Sequence, residues 1–178
     1  TLGADAPPCS YEDILQAEVI FIAGANPAVA HPIIFRFIED AKAANPELKI
    51  IVADPRFSES AAIADLHLAL KPGSDIALFN GMLHVLINEG LVDQSYIEAH
   101  TSGFSALSEV VKNYSPHVVA EICGLTVADI VQAATWFGSS GASLSMYCQG
   151  LNQSAHGTHN NAGIIHLHLA TGQVGKPG

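Results

Sequence analysis

The sequence is short of charge, of cysteine and of long apolar runs, and each shortage excludes something. Asp, Glu, Lys and Arg make up 13% of its 178 residues, about half the ~25% usual in soluble domains. Lys and Arg number seven against 17 Asp and Glu, a formal charge of −10. Polynucleotide binding needs a basic stripe, and there is none, which argues against a nucleic-acid partner. A single nucleotide remains possible, because local amides rather than net charge decide that contact. No apolar run approaches the ~20 residues of a membrane span, which argues against a membrane helix. The cysteines, Cys9, Cys123 and Cys148, are odd in number and far apart, with no CxxC or Cys/His zinc spacing. They read as reduced thiols in a reducing compartment, two of them buried. A GxGxxG after the first strand, a GxxxxGK[ST] loop and a GxSxG elbow are all missing. These absences disfavour a nicotinamide Rossmann site, a P-loop and a serine nucleophile. Nothing reads as a self-contained catalytic centre, and no residue is expected to be catalytic or to bind metal.

What is present is a large apolar fraction, 49%, with a mean hydropathy of +0.30. Such a composition predicts a sheet buried on both faces, with part of the surface resting against something else. Short continuous apolar runs predict strands at Val19–Ala23, Lys49–Ala53, Leu66–Leu70 and Ala142–Cys148. Helical periodicity predicts a helix at Pro32–Ala44, ended by Asn45-Pro46, and another at Asp75–Glu89 with Ser74 as N-cap. Ser10-Tyr11-Glu12-Asp13 reads as a helix start. Shorter helices follow between Asp93 and Ser139, and a closing helix runs from about His156 to Ala170, with Gly172 at its end. Strands alternating with helices predict an α/β fold, a doubly wound and mostly parallel sheet with helices on both faces. The start at Thr1 and the loop-like end at Gly172–Gly178 lead us to expect one domain cut from a longer polypeptide.

Four punctuated loops follow the four strands: Gly24–Pro27, Asp54–Ser58, Lys71–Asp75 and Gly150–Thr158. In a parallel sheet they share one edge, where such folds bind ligands. The densest polar tract is Gln149–Asn161, rich in amide, hydroxyl and imidazole groups and free of Lys and Arg. It suits a large polar ligand held by neutral hydrogen bonds, with phosphates on backbone N–H groups; an ordinary polar loop with a helix cap is the plainer reading. Gly24 permits close backbone approach and Asn26 offers an amide, or both form a simple turn. Asp75 is the first choice to accept the adjacent N1–H and N2–H₂ of a guanine base, the alternative being an acidic residue at a helix N-terminus. Asp54 suits ribose hydroxyls, or it starts an Asp-Pro turn. Arg56 and Lys71 face phosphate or pair with these carboxylates. Gly150, Asn152, Gln153, Ser154, His156 and Thr158 are expected around a pyrophosphate and the ring system beyond it. The histidine pairs 156/159 and 166/168 have no nearby carboxylate or thiolate set, so we read them as caps, core residues or ligand contacts.

The ordered set Gly3-Ala4-Asp5-Ala6-Pro7-Pro8-Cys9-Ser10-Tyr11-Glu12-Asp13, Gly24-Ala25-Asn26-Pro27, Asp54-Pro55-Arg56, Lys71-Pro72-Gly73-Ser74-Asp75, Gly150-Leu151-Asn152-Gln153-Ser154 and Thr171-Gly172-Gln173-Val174-Gly175 resembles the molybdopterin oxidoreductases. Within them it is most similar to bacterial assimilatory nitrate reductases. Asn152 stands where the similar formate dehydrogenases commonly carry Thr. The resemblance implies an α/β domain holding one guanine dinucleotide arm of a bis-molybdopterin guanine dinucleotide cofactor with molybdenum. Its contacts would include Gly24, Asn26, Asp54, Arg56, Asp75, Gly150, Asn152, Gln153 and His156. It also implies a parent with an iron–sulfur cluster, whose cysteines are not among these residues, and a molybdenum-ligating cysteine upstream of Thr1. Cys9 lies downstream of that position. Implied partners are the parent's other domains and nitrate, which the parent reduces to nitrite in the cytoplasm; the fragment alone is expected to be inactive. A formate dehydrogenase of the same fold and a non-catalytic nucleotide-binding module are the alternatives.

Overall fold

The computed structural model of the chain describes residues 8–178; the Gly3–Pro7 part of the motif set lies outside them. Four strands form one parallel sheet: β1 (Val19–Ala23), β2 (Lys49–Ala53), β3 (Leu66–Leu68) and β4 (Ser143–Tyr147), in the order β3-β2-β1-β4. β1 is buried throughout, the state expected of a strand covered on both faces. Its alternate side chains serve two cores. Ile20 and Ile22, with Ile50 and Val52, meet α1 (Tyr11–Gln16) and α3 (Pro32–Ala44). Phe21 and Ala23, with Ile51 and Leu68, meet α4 (Asp75–Asn88), α7 (Pro116–Cys123), α8 (Val127–Ser139) and α10 (Gly157–Ala170). Phe21 sits edge-on to Phe79 and Phe137, at centroid distances of 6.0 and 6.3 Å. Such pairs each add about 0.5–1.5 kcal/mol beyond area burial.

The expected α/β architecture is present, and the β1, β2 and α3 boundaries coincide with those predicted. α4 ends one residue early, at Asn88, and β4 is one residue shorter at each end than expected. Between Asp93 and Ser139 lie α5 (Gln94–His100), α6 (Phe104–Val111), α7 and α8. At the start of α1, Asp13 reaches back to the Ser10 amide at 2.6 Å. Four details differ from expectation. β3 stops at Leu68, because Leu70 turns out of the ladder, its N–H donating to the Leu68 carbonyl, while its side chain stays buried. The apolar pattern therefore outlasts the strand. Ser74 occupies the N-cap position of α4, but its hydroxyl donates to the Lys71 carbonyl at 2.6 Å instead of capping the helix. Two short helices were not foreseen: α2 (Pro27–Ala30), where Pro27 presets φ at the first position, and α9 (Gln149–Asn152). A 3-10 turn, Ala61–Ile63, follows the loop after β2.

Candidate functional site

The register of the sheet sets the rim. Ala23 pairs with Ala53 on one side and Tyr147 on the other, and Ala53 pairs with Leu68. All four strands thus finish level, and the loops that follow them leave from one edge. At the centre, two glycines join backbone to backbone. The Gly150 N–H donates to the Gly24 carbonyl at 2.9 Å. A Cβ on Gly150 would stand 2.6 Å from Gly24 Cα, and one on Gly24 would stand 2.6 Å from Leu151 Cδ1. Gly24 also has φ +56°, a conformation that favours glycine. The close approach these glycines allow within the chain is to each other.

On the β1–β2 flank, polar side chains serve the loops. Asn26 donates to Glu59 Oε2 at 3.0 Å and accepts from the Ser60 hydroxyl at 2.7 Å, and that hydroxyl accepts from the Ala28 N–H. Asp54, 5% exposed, accepts from the Arg56 N–H at 2.8 Å, and its carbonyl oxygen lies 2.9 Å from His67 Nε2. Arg56 extends into solvent with Nε 3.7 Å from the Asp54 carboxylate. Such an exposed, loosely paired cation adds little stability. Among the described residues Lys71 pairs with no carboxylate; its ammonium donates to the Glu121 carbonyl at 3.0 Å.

On the other flank, a cleft of about 650 Å³ opens between the first turns of α4 and α10 and the side of α6. Asp75, Asn80, Gly150, Ser154, His156 and His159 are among its lining residues. α10 lies close against α4 here, because Gly163 faces Ile76 and Phe79 without a side chain of its own. Asp75 is 8% exposed, and no other residue donates a hydrogen bond to its carboxylate among the described residues. Burial pushes its carboxyl pKa up, its own backbone N–H works against that, and the charge of Asp54 pushes it up further. Burial also lowers the pKa of His166, which lines the same cleft. His156 and His159 stack, with centroids 6.4 Å apart and planes within 8°. In the first turn of α10 the Gly157 and Asn160 amides donate to the Ser154 and His156 carbonyls, while those of Thr158 and His159 have no acceptor among the described residues and suit an anion.

Of the nine residues expected at the site, the structure gathers Asp75, Gly150 and His156 in the cleft, with Gly24 directly behind Gly150. Asn152 and Gln153 are exposed beside it, at the end of α9. Asn26, Asp54 and Arg56 do not line the cleft, although Asp54 is near enough to act on the charge of Asp75. Thr158 faces a different cavity, beside β4. Asn80 was not singled out, and His159 and His166 were read only as caps, core residues or ligand contacts. Asn80 was legible as a polar residue within the apolar face Phe79–Met82–Leu83. The seven-residue spacing of His159 and His166 puts both on one side of a helix. Among the described residues, no three His, Cys, Asp or Glu converge as a metal-holding group.

Comparison with known proteins gives a consistent result. The family model described as molybdopterin oxidoreductase matches residues 5–178. A nitrate reductase of Synechocystis is 43% identical over the whole chain, and a periplasmic nitrate reductase of Desulfovibrio desulfuricans is 42% identical. The alpha subunit of F420-dependent formate dehydrogenase 1 of Methanococcus maripaludis is 39% identical over 99% of the chain. The chain spans 25% of the length of each of the first two and 26% of the third. Among solved structures, acetylene hydratase from Pelobacter acetylenicus superposes with a TM-score of 0.81 at 25% identity, covering 93% of this chain and 24% of that one.

Proposed function

The chain belongs to the molybdopterin oxidoreductase family, and from that premise we propose that it is one cofactor-binding domain of a larger molybdenum nitrate reductase. In this reading it holds one guanine dinucleotide arm of a bis-molybdopterin cofactor. The observation that carries the reading is Asp75, a largely buried carboxylate to which no other described residue donates, on the wall of a cleft between two helix N-termini. A carboxylate with only its own backbone N–H to replace lost hydration is poorly compensated, and burial raises its pKa. A ligand presenting two adjacent N–H groups, as guanine does, satisfies both oxygens and restores the charge. Pyrophosphate then meets the free amides of the first turn of α10, those of Thr158 and His159, with Gly150, Ser154 and His156 around it. Asn152 and Gln153 contact the cofactor beyond the cleft, and Asn26, Asp54 and Arg56 shape the far side of the rim.

When bound, the cofactor's molybdenum supplies the redox and oxygen-atom-transfer chemistry that converts nitrate to nitrite. This chain's residues bind and orient the arm, and none of them moves a proton in the reaction. The iron–sulfur cluster of the parent and its remaining domains lie in the rest of the polypeptide. The motif resemblance favours an assimilatory, cytoplasmic enzyme. Cell fractionation checks that placement, since one relative is named periplasmic.

The direct experiment measures guanine nucleotide and molybdenum released from the complete protein carrying Asp75→Ala. Guanine content should fall at least tenfold, equivalent to about 1.4 kcal/mol; wild-type content would remove Asp75 from the site. A formate dehydrogenase parent is a second reading, favoured by the 39% identity to the Methanococcus maripaludis subunit. Assays of the complete protein with nitrate and with formate separate the two. A complete native protein that binds guanine nucleotide and contains no molybdenum would instead support a non-catalytic module.

A further inference from the structure

The sheet has an open side at β4. Glu18 and Val19 donate to the Ala142 carbonyl, so the backbone groups of 142, 144 and 146 face β1, and those of Ser143, Ser145 and Tyr147 face away. The first outward group is closed by a side chain: the Ser143 N–H donates to Gln173 Oε1 at 3.2 Å, while Gln173 Nε2 donates to the Ser140 carbonyl at 3.1 Å. Past that point, the N–H groups of Ser145 and Tyr147 have no acceptor among the described residues. Yet Ser145 is only half-exposed, because the helical layers extend beyond the sheet. Ile14 and Ile34 overhang from one face, Ile164 and Ile165 from the other, and the space between them and β4 is a slot of about 780 Å³. At its side, Asn161 Oδ1 is buried and is the one buried side-chain polar atom without a partner among the described residues.

These dimensions match a missing strand. Strand spacing of ~4.8 Å, a layer ~10 Å thick and a rise of ~3.3 Å per residue give a five-residue strand on the order of 800 Å³. The slot is lined with isoleucine on both faces and has a row of unmet backbone donors and acceptors on its floor, the two things an inserted strand satisfies. We propose that a segment of the same polypeptide lying outside these 178 residues inserts here as a fifth strand next to β4, apolar on both faces and offering a donor to Asn161. The relatives are about four times as long as this chain, so the parent polypeptide has ample length to supply it. A second copy pairing β4 to β4 is disfavoured by shape, since the edge is recessed and the overhanging helices of the two copies would collide. A filled slot also removes an edge that would otherwise invite aggregation.

Two measurements on the complete protein test this. Amide hydrogen exchange should protect Ser145 and Tyr147 to within about tenfold of Leu144 and Met146, whereas exchange near the rate of an unfolded peptide overturns the proposal. A photo-crosslinking residue in place of Ile34 or, separately, Ile165 should capture a peptide of the same polypeptide from outside the 178 residues. Capture of a second copy, of residues 1–7 or of a different protein would overturn the assignment of the occupant. The exchange measurement needs no variant, so a misfolded crosslinking variant does not shield the proposal.

Discussion

Burial raises the carboxyl pKa of Asp75, and the charge of Asp54 adds to the effect. A carboxyl raised above its unfolded value binds its proton more tightly when folded, so stability is lost as pH rises from the usual carboxylate range through the raised value. Asp75→Asn removes that dependence. We expect the ligand-free protein to become slightly more stable at neutral pH and to retain less guanine nucleotide, seen as slower exchange of the α4 amides together with a lower nucleotide content. His168 shows the opposite linkage. It lies half-buried beneath β4, with Nε2 2.6 Å from the Ser145 hydroxyl and its ring edge-on to Phe137 at 5.0 Å. Burial lowers its pKa to about 4. Its stabilising share is complete above the unfolded value of ~6.5 and is lost as pH falls toward 4, at about 1.4 kcal/mol per unit. Between pH 7 and pH 5 the amides of α10 should lose about 2 kcal/mol of protection after correction for intrinsic rates, and His168→Phe should flatten that slope. A slope unchanged by the substitution would place the titration elsewhere.

At the scale of elements, glycine contacts set the shape of the rim. The first turn of α9 is held against the end of β1 by the Gly24–Gly150 contact, where an added Cβ meets backbone that has no side chain to swing aside. Gly150→Ala should therefore cost about 1–3 kcal/mol, the usual range for overpacking, and displace the polar tract. Gly163→Ala meets Ile76 Cδ1 at 2.7 Å and Phe79 Cδ2 at 3.0 Å, and the end of the Ile76 side chain can shift. We expect a smaller cost, about 1 kcal/mol, with α10 moved outward from α4. Denaturant midpoints rank the two variants, and guanine content shows whether cleft width matters to the ligand. If Gly150→Ala proved harmless, the backbone contact would be looser than drawn.

For the whole molecule, the low charge content has a structural outlet. Exposed Tyr11, Leu15, Val29, Ile33 and Phe57 lie on the surface, and the slot beside β4 is apolar as well. A chain that covers about a quarter of its relatives is expected to rest these surfaces on the remaining polypeptide. Under the proposed reading the 178 residues on their own should not reduce nitrate, because the chemistry there belongs to the cofactor of the complete protein. An assay of the isolated chain with a reduced dye as donor checks this; turnover would show that the site needs nothing further. Among the described residues no single helix is long and apolar enough to cross a membrane.

Much of this was legible in the sequence, because the relevant signals are local. Continuous apolar runs mark strands buried on both faces, so Val19–Ala23 and Lys49–Ala53 could be bounded to the residue. Pro32 and Asn45-Pro46 bound α3 by backbone geometry alone. Parallel alternation then required the four loops to leave from one edge. Only the tertiary structure decided which of those loops meet. Asp75 shares a cleft with His156 because α4 and α10 pack closely through Gly163, a contact between residues 76 and 163 that no local pattern encodes. Asn26 was drawn away by Glu59 and Ser60, 33 and 34 residues distant. Periodicity reports which way a side chain faces relative to its own element. Which element it then meets depends on long-range packing.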